Sequence, residues 1–124
     1  MRKLSRKGIV KKLDKVFSLF IRNRFAKNGI AQCVTCGKKD AVERMQAGHF
    51  ISRKHYATRW CTTNVQVQCA SCNVFKYGEQ YKFGVYLDQH YGVGTADELL
   101  QKSKQIVKLT NEELLEKVEL YKVP

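Results

Sequence analysis

The sequence predicts an α+β fold: a small core of short strands clamped by two cysteine pairs, with a helix before it and a helical tail after it. Three observations predict it. Cys33-x-x-Cys36 and Cys69-x-x-Cys72 have the spacing of paired metal ligands. Residues 8–28 repeat apolar side chains at helical spacing, whereas Ala31 to Cys69 breaks into short segments. Two Thr-x-x-Glu sequences, at Thr95 and Thr110, mark helix starts in the tail. The 124 residues make one domain, 1–124, divided into a basic amphipathic helix (8–28), a core (31–91) and a helical tail (95–122).

The first helix has Ile9, Leu13, Val16, Phe17, Phe20 and Ile21 on its apolar side and Lys11, Lys12, Lys15, Arg22 and Arg24 on the other, with Asn28-Gly29 as its stop. That basic side suits a phosphate backbone or plain solvent equally. Gln32 to Gly37 reads as a zinc knuckle, in which Gly37 can take positive φ where the chain leaves the turn. Met45 to Ile51 and Asn64 to Gln68 are expected strands of an antiparallel hairpin. Their long connection, Ser52 to Thr63, is cationic and aromatic, which suits phosphate and base contacts; Tyr56 and Trp60 alternatively pin it to the core. A helix is expected from Ser71–Asn73 to Tyr91-Gly92, with a break at Gly78. The Leu-rich tail gives two more helices, packed on the first helix or used in a dimer contact.

A hydrophobic content of 44% with 27% charged residues describes a folded chain rather than a disordered one. No apolar run reaches membrane-span length, and the basic start lacks a signal-peptide core, so a cytoplasmic protein with reduced cysteines is expected. Reduced thiols favour metal over disulfide, and four thiolates select zinc. Cys61 lacks a partner at ligand spacing and reads as a half-buried thiol. Lys and Arg outnumber Asp and Glu by 23 to 11, a formal +12. One zinc on four thiolates lowers this only to about +10. A polyanion, above all nucleic acid, is the expected partner.

Between the pairs lie 32 residues, more than the roughly 15 to 20 of a plain zinc ribbon. This interval can house phosphodiester hydrolysis, which needs a base for water, a hard cation for the phosphate, and something to orient the base. His49 at the end of the first strand is the expected base, because neutral imidazole predominates at cellular pH. Asn73, beside a zinc ligand, offers Mg²⁺ or Mn²⁺ a hard amide oxygen. Asn64 is expected to bridge the loop backbone. His55 is a further candidate for the cation or a phosphate. Each of these also has a structural reading: a surface histidine, or an asparagine in a cap or turn. Phosphate contacts are assigned to Lys11, Lys15, Arg53, Lys54, Arg59 and Lys76.

Met45-Gln-Ala-Gly-His-Phe-Ile51 and Asn64-Val-Gln-Val-Gln-Cys69-x-x-Cys72-Asn73 resemble the NinG (Rap) recombination proteins of lambdoid phages. The likeness continues in Phe17-Ser18, Ile21-Arg22, Thr35-Cys36-Gly37, Gly78, Tyr81, Leu87, Tyr91-Gly92 and the Leu-rich tail, and so covers most of the chain. That family is similar to HNH (ββα-metal) nucleases, including endonuclease VII, and the resemblance implies a treble-clef-like core. It also implies Mg²⁺-dependent cleavage of branched DNA, such as D-loops and Holliday junctions, in phage recombination. His49 matches the general base, Asn73 the cation ligand, and the four paired cysteines the structural zinc ligands. Many HNH nucleases carry Asp before the base, where this chain has Gly48, and no acidic residue lies in Trp60-Cys-Thr-Thr63. One cation ligand is therefore unassigned, with His55, Gln46 and Glu43 as candidates. Two symmetric nicks imply a homodimer. The alternatives are a non-catalytic zinc-dependent DNA-binding module, an HNH nicking enzyme without branch selectivity, and a zinc-stabilised adaptor.

Overall fold

The computed structural model describes residues 4–123, so residues 1–3 and Pro124 of the expected domain lie outside it. Helix α1 (Arg6–Arg24) starts at Ser5, whose hydroxyl accepts a hydrogen bond from the Gly8 amide at 3.1 Å. It ends four residues before the expected stop. Arg24 is its last residue, and the following turn bends at Asn28 and Gly29, both with positive φ. The buried positions Ile9, Leu13, Phe17 and Ile21 form one stripe, each contributing about 1.5–3 kcal/mol by leaving water.

Two small antiparallel sheets follow. Strands β1 (Ile30–Gln32) and β2 (Lys39–Ala41) flank the first cysteine pair and were not anticipated, because three residues are too few to show an alternating pattern. Strands β3 (Met45–His49) and β4 (Val65–Cys69) form the expected hairpin, with His49 opposite Val65 and Met45 opposite Cys69. Both strands are displaced slightly from expectation. β3 stops at His49, and Asn64 precedes β4 because its side chain is spent on the loop backbone. The loop between them contains a single helical turn, α2 (Tyr56–Arg59).

After β4 the chain makes a π-helical turn (Ser71–Phe75), then α3 (Gln80–Tyr91). The break falls at Tyr77-Gly78-Glu79, three successive left-handed residues. Helix α4 (Thr95–Ser103) does not use the expected capping box. Gly94 is its N-cap with φ 97°, and the Thr95 hydroxyl donates backwards to the Gly92 carbonyl at 2.7 Å. Asp88 of α3 supplies the missing cap by accepting from the Ala96 amide at 3.0 Å. Helix α5 (Asn111–Leu120) does begin with the Thr110–Glu113 box.

The tail helices part company. Leu114 and Val118 of α5 join the α1 stripe, Trp60 and Val65 in the main core, whereas Leu99 of α4 packs with Phe83 and Leu87 of α3. A third cluster, Ala31, Val42, Met45 and Val67, surrounds the cysteine pairs. Among the described residues, no helix is long and apolar enough to cross a membrane.

Candidate functional site

Cys33 and Cys36 of the β1–β2 turn, Cys69 at the end of β4 and Cys72 in the π turn converge, with all four sulfurs within 4.8 Å of one another. The Cys36 and Cys69 sulfurs are 3.7 Å apart, close to the ~3.8 Å edge of a tetrahedron built on Zn–S bonds of about 2.3 Å. The Val34 amide donates to the Val67 carbonyl at 3.0 Å, which docks the first pair against β4. Burial pushes the Cys72 thiol up to about 12. Cys33 is also desolvated, yet hydrogen bonds from the Thr35 hydroxyl and neighbouring amides bring it down to about 6. The site is placed to hold one metal ion such as zinc. Cys61 lies apart from it, half-buried.

Beside this centre, a cavity of about 440 Å³ opens between α1 and β3. Asp14, Ser18 and Arg22 of α1, Gln46 and His49 of β3, Arg53 of the loop, and Asn73 of the π turn line it. His49 is half-buried, and its Nε2 donates to the Arg59 carbonyl at 2.9 Å. That bond leaves Nδ1 with the free lone pair. Burial lowers the pKa of His49 to about 4, the Arg59 carbonyl opposes this, and the charge of Arg53 adds to it. The ring is neutral at pH 7.

Asn64 is completely buried and lies outside the cavity lining. Its Oδ1 accepts from the Ile51 amide at 2.8 Å, and its Nδ2 donates to the carbonyls of Ile51 and Thr58 at 3.1 and 3.0 Å. One side chain thus closes the loop that delivers the Arg59 carbonyl to His49. Asn73 Nδ2 donates to Gln46 Oε1 at 2.7 Å, and its Oδ1 receives no hydrogen bond among the described residues.

The family model described as Bacteriophage Lambda NinG protein matches residues 2–123. The chain belongs to the NinG family. Searches of curated proteins and of solved structures return no match.

In this NinG-family chain, several expected residues stand elsewhere. His55 is the residue before α2, its N-cap, and does not line the cavity, and Glu43 is an exposed residue outside the lining. Arg59 is not a free phosphate contact. Its Nε donates to Asp14 Oδ1 at 3.1 Å and its terminal nitrogen pairs with Oδ2, leaving the side chain 16% exposed. Lys11, Lys15, Arg53, Lys54 and Lys76 are exposed. Lys11 and Lys15 lie on the same helical stripe as Asp14, Ser18 and Arg22, at steps of three and four residues along α1. Tyr56 and Trp60 pack on the main core, so they anchor the loop.

Gly48 has a physical reason. A Cβ there would sit 1.8 Å from Gln68 Oε1. Gln68 is fully buried and donates to the Thr35 hydroxyl at 3.2 Å and to the Gly78 carbonyl at 2.9 Å. A carboxylate at position 48 has no space while Gln68 holds this pose.

Sequence reasoning missed Asp14, which also accepts from Trp60 Nε1 at 2.9 Å. Its signal was available: it is the only acidic residue in α1, set among lysines and arginines.

Proposed function

We propose that this chain is a zinc-stapled DNA endonuclease of the HNH (ββα-metal) type that nicks branched DNA in phage recombination. The observation that carries the reading is the pairing of His49 and Asn73 in one cavity, with His49 neutral and its Nε2 committed to the Arg59 carbonyl. The β3–β4 hairpin followed by the π turn and α3 supports a ββα-metal core, with the four cysteines holding its ends.

In this mechanism His49 Nδ1 takes a proton from water as the water oxygen bonds to phosphorus. The bond from phosphorus to the leaving sugar oxygen breaks, and that oxygen takes a proton from solvent. Arg22 and Arg53 hold non-bridging phosphate oxygens, while Lys11 and Lys15 extend the basic track along α1. Asn73 Oδ1 would hold Mg²⁺ or Mn²⁺, with Gln46 beside it. When bound, the cation supplies charge that offsets the negative phosphorane and departing oxygen. Branch preference and a homodimeric working state rest on the resemblance to junction-resolving nucleases.

The deciding experiment incubates purified protein with a four-way junction and with linear duplex, with and without Mg²⁺, beside His49→Ala and Asn73→Ala. Metal-dependent nicking of the junction that both variants lose is expected; equal cutting by His49→Ala defeats the mechanism.

A second reading, a zinc-dependent DNA-binding module without cleavage, draws on a specific observation. Among the described residues, the four cysteines are the only cluster of three or more His, Cys, Asp or Glu ready to hold a metal. It predicts salt-sensitive DNA binding without nicking at any enzyme excess.

A further inference from the structure

The segment after Asn73 turns three large rings into water: Phe75, Tyr77 and Tyr81 are 77%, 88% and 84% exposed. Isolated surface apolar residues are ordinary, but three exposed aromatics within seven residues of chain set this segment apart. Cations are interleaved with them. Lys76 stands exposed between the first two rings, and Lys82 follows Tyr81.

The backbone is held in an unfavourable shape to present these rings. Tyr77 and Glu79 both adopt left-handed φ, 53° and 50°, around Gly78 at 86°. Side chains with a Cβ resist this region, so such strain persists only where surroundings impose it. Here they do: the Gly78 amide donates to the Cys72 carbonyl at 2.8 Å, and its carbonyl accepts from buried Gln68. The turn is thereby tied to a zinc-ligand residue and to β4, and it begins four residues after Asn73 in the cavity wall.

We propose that Phe75, Tyr77 and Tyr81 form a stacking platform for unpaired nucleobases of a DNA strand whose phosphates pass the Asn73 end of the cavity. The inference rests on the DNA-endonuclease reading and names the substrate feature it selects. Exposed rings alternating with lysines match the chemistry of single-stranded nucleic acid, in which base faces and phosphates alternate. In intact duplex the base faces are covered by their neighbours, so the platform gains nothing there. At flaps, gaps and branch points the faces are free. Branch preference then arises from this patch, separately from hydrolysis.

The test uses full-length, zinc-loaded protein with three probes: a thymine oligonucleotide carrying one 2-aminopurine, its duplex, and a flap of the same sequence. Wild type should quench the 2-aminopurine by stacking. The triple variant Phe75→Ala/Tyr77→Ala/Tyr81→Ala should lose at least about 100-fold in affinity for the single strand, since each ring stacks with roughly 5- to 150-fold effect. Its duplex affinity should stay within about two-fold, and its salt slope should not change, because no phosphate contact is removed. Tyr77→Phe should retain quenching. Circular dichroism and zinc content verify that the variant folds.

Unchanged single-strand affinity in the triple variant, while wild type still binds and nicks DNA, overturns the platform and leaves the nuclease reading intact. Failure of wild type to bind any of the three probes defeats both. A wild-type dimer that the triple variant dissociates would assign the patch to self-association and overturn the proposal.

Discussion

His49 Nε2 lies 2.9 Å from the carbonyl oxygen of Arg59, and that bond selects Nδ1 as the only ring atom able to take a proton. The same enclosure keeps the ring neutral to about pH 4, against an ordinary 6.5 in the unfolded chain. Between those values the unfolded state binds more protons, so stability falls as pH drops from about 6.5 to about 4. The loss attributable to His49 is at most about 3 kcal/mol and is absent above pH 6.5. Urea midpoints measured across this window should fall less steeply for His49→Gln than for wild type. Parallel curves would show that the imidazole is not held neutral.

Asp14 joins α1 to the loop by accepting from both Arg59 and Trp60. Asp14→Asn keeps the shape but leaves Arg59, mostly shielded from water, without its counter-charge. A loss of about 1–3 kcal/mol is expected in denaturant titration. Because Arg59 also supplies the carbonyl that orients His49, nicking should fall further than DNA affinity does. A proportional fall in both would make Asp14 an ordinary stabilising residue.

Placing an aspartate at position 48, just before the proposed base His49, should harm this chain. Gly48→Asp drives a side chain into Gln68 and should cost at least about 1–3 kcal/mol, with no gain in metal-dependent cutting. Adding Gln68→Ala should recover part of the stability by opening the space. A stable, more active single variant would mean that Gln68 moves aside freely.

Removing one sulfur should undo the fold. Three of the four ligand cysteines are buried, and with Ala31, Val42, Met45 and Val67 they form a core cluster of their own. Cys69→Ser should therefore give an unfolded or insoluble chain, and strong chelators should melt wild type. Elemental analysis should find one zinc per chain. A well-folded, zinc-free Cys69→Ser protein would remove the structural metal.

What could be read from the chain was chemistry confined to short intervals. The cysteine spacing, the Thr110–Glu113 cap and the periodicity of α1 each depend on residues within a few positions, so pattern alone exposes them. Asp14 and Arg59 are 45 residues apart and meet only after α1 docks on the hairpin, so Arg59 resembled one more phosphate contact. At Thr95 the local signal misled. A left-handed Gly94 moved the helix start by one residue, and Asp88 took over the cap from another helix. The β1–β2 sheet escaped notice because its identity lies in pairing across a turn, not in either three-residue strand.

Gln68 touches the space above Gly48, the hydroxyl of Thr35 and the carbonyl of Gly78 at once. These positions therefore cannot drift independently among relatives. A homologue with a larger residue at 48 must shorten or redirect the side chain at 68, and in doing so it releases the turn at 78 and the hydroxyl beside Cys33. Covariation should accordingly tie 35, 48, 68 and 78 into a single inherited unit, in which the size of the residue before His49 and the shape of the aromatic turn are settled together.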